Sequence, residues 1–298
     1  SQSFGGSVRE EARGVATDSQ GNIYVGGHFV SDDLDFGGGP LALTGIADLF
    51  VVSLTSAGAY RWSSGVGSLA NDEVLDIFVG TDDTVYQTGQ SGPFDPGTGP
   101  LPAGNRNAFL MAFSADGAIR WAKGFAGNFV EGWSLGGDAT GNAYLSGSFV
   151  EETLDLGGGS MPHAGLPSTF VGVFAADGTH RRSAVVGGVD QGARLAVDQQ
   201  GNVILAGSFQ DQIDLGGGPL VSAGGRDAFV LIVRPDLTHL WSERFGGEGD
   251  DLISAVAVGP GGEVYLGGNF LDTVDIDGSV LTAAGSSDVF VHKIAPFQ

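Results

Sequence analysis

The chain has 298 residues, with 35 Asp and Glu against 13 Lys and Arg, a formal net charge of −22 and no cysteine. So acidic a surface repels nucleic acid and anionic lipid, and without thiols there is neither a disulfide framework nor thiolate chemistry. No apolar run approaches the roughly 18–20 residues of a membrane-spanning helix, so membrane insertion is not expected.

Read in chain order, one phrase returns five times: Gly21-Asn22-Ile23-Tyr24-Val25, Thr84-Val85-Tyr86-Gln87, Gly141-Asn142-Ala143-Tyr144-Leu145, Gly201-Asn202-Val203-Ile204-Leu205 and Gly262-Glu263-Val264-Tyr265-Leu266. A second marker, Phe50, Phe109, Phe170, Phe229 and Phe290, runs in phase with it. Repeats of about 60 residues follow, at approximately 7–66, 67–125, 126–185, 186–245 and 246–298. Tandem units of this length read as one supersecondary unit each.

Within a repeat four strands are predicted. Strand A is small and apolar, as in Ser254-Ala255-Val256-Ala257. A tight turn such as Asp18-Ser19-Gln20-Gly21-Asn22 leads into strand B, since Asp, Gly and Asn tolerate positive φ. Strand C carries the Phe marker, and strand D carries Trp62, Trp121 or Trp241; Arg182 holds that place in the third repeat. The strands are apolar on consecutive residues, so both faces of each sheet should be buried. The expected fold is therefore all-β: one five-bladed β-propeller domain with four antiparallel strands per blade. The fifth repeat lacks strand D, and Ser3-Phe4-Gly5-Gly6 matches Arg244-Phe245-Gly246-Gly247 at the end of the fourth. Residues 1–6 are thus expected to complete the last blade.

These markers resemble the bacterial secreted β-propeller repeat family, most closely along Phe245-Gly246-Gly247-Glu248-Gly249-Asp250-Asp251 and Ala255-Val256-Ala257-Val258. The resemblance covers essentially the whole chain and implies an exported protein: secreted, periplasmic or at the cell surface. The family name implies seven blades, whereas five repeats are counted here.

The B–C loops and D-to-A crossovers share one face and gather most of the acids. Asp35, Asp95, Asp155, Asp214 and Asp275 precede glycine-rich turns in every repeat and are read as turn makers rather than a calcium cage; weak calcium binding is the alternative. Glu10, Asp72, Asp190 and Asp251 share a crossover register and are expected to brace neighbouring blades. No cofactor and no metal ligands are predicted.

Residues that break the repeat are the better site candidates. At the axial start of strand A stand Arg13, Leu75, Trp133, Ala193 and Ser254. Trp133, with Phe129 four residues earlier, could stack on a sugar or plug a narrow axis. His28, Gln90, Ser148, Ser208 and Asn269 end strand B in a polar ring, either a ligand rim or a solvated one. Arg106 and His163 interrupt the acidic loops. The predicted ligand-binding set is Trp133, Phe129, Arg13, His28, Gln90, Asn269, Arg106 and His163, with no catalytic residue. The expected role is a monomeric, non-catalytic extracellular or cell-surface binding module for a glycan, surface polymer or protein. A structural spacer and a glycoside hydrolase are the alternatives.

Overall fold

The computed structural model describes residues 2–102, 104–165, 167–188 and 192–296. Its described secondary structure is all β. The first sheet comprises β1 (Glu10–Thr17), β2 (Ile23–Phe29), β3 (Asp48–Leu54) and β4 (Tyr60–Val66), and the second β5 (Glu73–Val79), β6 (Val85–Ser91), β7 (Asn107–Phe113) and β8 (Ile119–Phe125). The third is built from β9 (Val130–Gly137), β10 (Ala143–Phe149), β13 (Ser168–Phe174) and β14 (His180–Gly188), with the small hairpin β11 (Thr153–Asp155) and β12 (Ser160–Pro162) inserted. The fourth has β15 (Arg194–Val197), β16 (Val203–Phe209), β19 (Asp227–Val233) and β20 (His239–Phe245), around the hairpin β17 (Gln212–Asp214) and β18 (Pro219–Val221). The fifth has three strands, β21 (Asp251–Val258), β22 (Val264–Phe270) and β25 (Asp288–Ile294), around β23 (Thr273–Ile276) and β24 (Ser279–Thr282). All strand pairings within these sheets are antiparallel and follow sequence order, so each repeat is one blade-like sheet.

Successive sheets pack face to face, with β1 against β5, β5 against β9, β9 against β15 and β15 against β21. Buried apolar layers fill the spaces between them: Leu110, Leu145 and Phe174 lie in one, and Val171, Leu205 and Leu231 in the next. Continuous burial along β7, β13 and β19 explains why those strands are apolar on consecutive residues.

Between the first and second sheets, and between the second and third, the strand D indoles seal the interface by one recurring device. Trp62 Nε1 donates to Ala115 O at 2.9 Å, and Trp121 Nε1 donates to Ala176 O at 2.9 Å. Each ring lies beneath a turn glycine of the next sheet, Gly117 or Gly178, both at positive φ. A Cβ on Gly117 would stand 2.7 Å from Trp62, and one on Gly178 2.8 Å from Trp121. The Trp of one repeat and the Gly of the next are thus one structural unit.

The aspartates before the glycine-rich turns behave as turn makers. Asp35 accepts from Gly37 N and Gly39 N at 2.7 and 2.9 Å, and Asp95, Asp155 and Asp214 repeat the pattern. Asp275 differs: it lies inside β23 rather than at a strand end, and its N–H faces Gly246 O at 3.4 Å. Asp72 accepts from Gly92 N at 2.9 Å and from the Ser68 hydroxyl at 2.8 Å, tying the crossover to the loop of the second sheet. Asp190 lies outside the described residues.

The expected closing strand is not formed. Residues 2–9 contain no strand and run along the first sheet's own long loop. Ser7 N donates to Asp33 at 2.7 Å, Val8 N donates to the Ser31 hydroxyl at 2.9 Å, and the Phe4 ring sits 5.3 Å from Phe36. The match between Ser3-Phe4-Gly5-Gly6 and Arg244-Phe245-Gly246-Gly247 misled because a short aromatic segment can cover any apolar sheet face. Phe4 lines an apolar hollow of about 230 Å³ on the first sheet, with Leu34, Phe36, Phe50 and Val52.

The fifth sheet keeps its outer face open. Val289 and Val291 are 81% and 80% exposed, whereas Ala228 and Val230, at the same register in the fourth sheet, are fully buried. On the first sheet, the turn glycine Gly58 has nothing within 4 Å of a would-be Cβ, whereas its counterparts Gly117 and Gly178 lie over an indole.

Candidate functional site

The first strand carries a β-bulge in every sheet but the fourth, and the bulge sets the site. Register shifts fall between Ala12 and Gly14, between Val74 and Asp76, at Trp133 opposite Ser146 and Gly147, and between Ile253 and Ala255. The bulged residues are therefore Arg13, Leu75, Trp133 and Ser254, the symmetry-breaking positions of the sequence. A bulge re-aims one side chain without breaking the rest of the ladder.

Trp133 does not stand free. Its indole N–H donates to the Ser148 hydroxyl at 2.9 Å. The ring lies on the backbone of Gly192, where any Cβ would come within 1.8 Å of it. On its open side it lines a pocket of about 130 Å³ together with Arg194, Ser208, Leu252 and Ser254.

The other expected residues collect elsewhere. His28 Nε2 lies 3.7 Å from Glu11, and Arg13 reaches the same carboxylate at 2.9 Å. Burial pushes the His28 pKa down, against the opposing pull of Glu73 and Glu11. Gln90 is buried and accepts from Arg106 Nε; Arg106 also pairs with Glu131 at 3.3 Å and lies 4.5 Å over the Phe129 ring. Burial raises the Glu131 pKa, with Arg106 working the other way. His163 is an exposed loop residue whose Nδ1 accepts from Gly165 N at 3.4 Å, and Asn269 stands opposite Leu252 in the fifth sheet. The polar ring at the end of strand B is for the most part a buried one: His28, Gln90, Ser148 and Ser208 are all below a tenth exposed.

Two residues that sequence reasoning passed over join the first strands of neighbouring sheets. Asp76 accepts from Ile77 N at 2.8 Å, from Leu135 N at 2.8 Å and from the Ser134 hydroxyl at 3.1 Å, joining the second sheet to the third. Burial raises its pKa, and Arg194 is among the groups that oppose this. Arg194 reaches Trp133 O at 3.5 Å, linking the fourth sheet to the third. The signal was present in the repeat. At the register filled by Gly14, Ser134 and Ala255, the chain places Asp76 and Arg194, two charges where the other repeats need small residues.

Among the described residues no three His, Asp or Glu side chains gather as a metal cluster.

No protein-family model matches the chain. It is similar to the regulatory protein FlaEY of Caulobacter vibrioides, 24% identical along an alignment of 274 positions that covers 83% of this chain and 28% of that protein. The chain therefore spans under a third of that relative's length. Among solved structures it is similar to a protein of unknown function from Bacteroides caccae, at 10% identity and a TM-score of 0.47, covering 86% of this chain and 70% of that one. It is also similar to a mutant NanB sialidase from Streptococcus pneumoniae, at 9% identity and a TM-score of 0.42, covering 85% of this chain and 41% of that one. At such scores neither likeness bears on what this chain does.

Proposed function

We propose that the five sheets are blades of a secreted β-propeller, and that the chain is a non-catalytic module binding an extended ligand on its long-loop face. The propeller reading is supported by the in-order antiparallel sheets, the packing of strand A against strand A, and two uncovered faces of the kind buried at each internal interface. Ring closure would bring the Val289 and Val291 face against the first sheet. Val291→Lys is then expected to lower Tm by several degrees, because a charge would be forced into an apolar interface. An unchanged Tm would show that this face stays open.

Trp133 carries the functional reading. It offers part of an aromatic face to a pocket whose polar groups, Arg194, Ser208 and Ser254, come from neighbouring sheets. A volume of about 130 Å³ is below that of an enclosed small-molecule site, so it suits one ring of a longer glycan or surface polymer lying across the face. Aromatic stacking with hydroxyl and guanidinium donors at the rim suits a sugar. The carboxylates nearest the axis are engaged in structure: Asp76 takes three hydrogen bonds, and Glu131 faces Arg106. That argues for binding over glycoside hydrolysis.

Glycan-array screening followed by titration with the strongest glycan tests this. Trp133→Ala is expected to weaken binding by about 1–3 kcal/mol, a loss of hot-spot size, with the protein still folded. Unaltered affinity would remove this pocket from consideration. An array without hits, together with oligomer formation, would favour the spacer, and cleavage of the glycan would favour the hydrolase.

A further inference from the structure

The third repeat breaks the Trp–Gly unit on both sides of one interface. Arg182 stands where Trp62 and Trp121 stand in the first two repeats, and Leu237 stands where Gly117 and Gly178 stand. Leu237 takes the same left-handed backbone, at φ 67°, as a non-glycine residue. It can do so because no indole lies beneath it. Arg182 keeps the hydrogen bond of the missing indole, donating to Pro235 O, the counterpart of Ala115 O and Ala176 O. It does not keep the indole's volume. A cavity of about 570 Å³ lies there, between the third and fourth sheets on the tight-turn face. Its size is that of small-molecule sites.

The neighbouring arginine has changed role as well. In the first sheet Arg61 donates to the Tyr24 hydroxyl at 3.0 Å and to Ser53 at 2.7 Å, and in the second Arg120 donates to the Thr84 hydroxyl at 2.5 Å. Their counterpart Arg181 makes no such bond among the described residues, and it lines the cavity beside Arg182. Tyr144, which it would have met, gives its hydroxyl to Asp138 at 2.9 Å. Asp138 is itself satisfied by Asn142, Thr140 and Tyr144, and those bonds hold its pKa down against its burial. The cavity thus has an apolar wall at Val173 and Pro235, and two guanidinium groups beside one fully engaged carboxylate. Asp177 stands near Arg181, yet two adjacent guanidinium groups in a chain of net charge −22 make a fork suited to an anion.

We infer that this cavity is a binding site for a small aromatic carboxylate, whose ring takes the place of the absent indole and whose carboxylate meets Arg181 and Arg182. It is separate from the Trp133 pocket, on the opposite face, so either reading stands or falls alone.

Indole-3-propionate is a suitable probe, with indole and propionate as the arms lacking charge or ring, each titrated by calorimetry. Saturable binding of indole-3-propionate is expected, at least about tenfold tighter than either arm. Arg181→Gln is expected to weaken it about tenfold or more, as loss of a charge-assisted bond would, whereas Arg120→Gln, at the same place in the second sheet, should not. The double variant Arg182→Trp with Leu237→Gly restores the unit of the first two repeats; it is expected to fill the cavity, abolish binding and raise Tm. Absence of binding to the wild-type chain overturns the inference. So does equal affinity for indole, or affinity that survives Arg181→Gln and the double variant.

Discussion

Trp121→Ala is expected to lose about 3 kcal/mol of stability, the low end of the range for truncating a large aromatic side chain, because the indole is half-buried. The indole packs 6.0 Å from Tyr86 within its own sheet and donates to Ala176 O in the next, so its removal leaves a hole in one interface and an unpaired carbonyl on the other side. With about 2–4 °C per kcal/mol for a large domain, Tm should fall by roughly 6–12 °C in a thermal melt. Gly178→Ala should be destabilising by the same geometry. Its Cβ would come 2.8 Å from the Trp121 ring at a φ of 82° that L-residues resist. A melt of Trp121→Ala within a degree of wild type would refute the account of the interfaces given above.

The second large effect concerns pH. Asp251 is fully buried; one oxygen accepts from Gly247 N at 2.7 Å and the other has no partner. Burial raises its pKa from 3.8 to about 6, and the nearby Asp227 carboxylate pushes the same way. Between those values the folded state holds a proton that the unfolded state has released, so the sign is fixed. The stabilising contribution is full below pH 4, declines as pH rises, and is lost above pH 6. A shift of this size corresponds to on the order of 3 kcal/mol. Asp251→Asn stays neutral throughout and keeps an acceptor for Gly247 N. It is therefore expected to raise Tm at pH 7–8, to change it little near pH 4, and to flatten the profile between. Melts from pH 4 to 8 decide the matter, and a wild-type profile that rises with pH through this window would overturn it.

Much of this architecture is legible in the sequence, because local chemistry is repeated. Asp and Gly make the turns by short-range hydrogen bonding and positive φ. Strands apolar on consecutive residues state that both sheet faces are covered. Even the Trp–Gly unit is present as paired spacing, with its break at Arg182 and Leu237. The substitutions at Asp76 and Arg194 are equally readable, one residue beyond the position that breaks the repeat most visibly. That position gave Trp133.

What the sequence did not decide is which surfaces meet. His28 and Gln90 share a register with Ser208, yet only Ser208 lines the Trp133 pocket, because the third, fourth and fifth sheets enclose it while His28 and Gln90 sit on the first and second, beside Glu11 and Arg106. Phe4 and its two glycines read as the end of a fourth strand, but that segment lies on the first sheet beside Phe36. Contacts between distant segments depend on how each sheet is placed against the next. A repeat fixes the form of that interface for every sheet alike, and leaves its occupants at the two ends and at the broken positions to the tertiary structure.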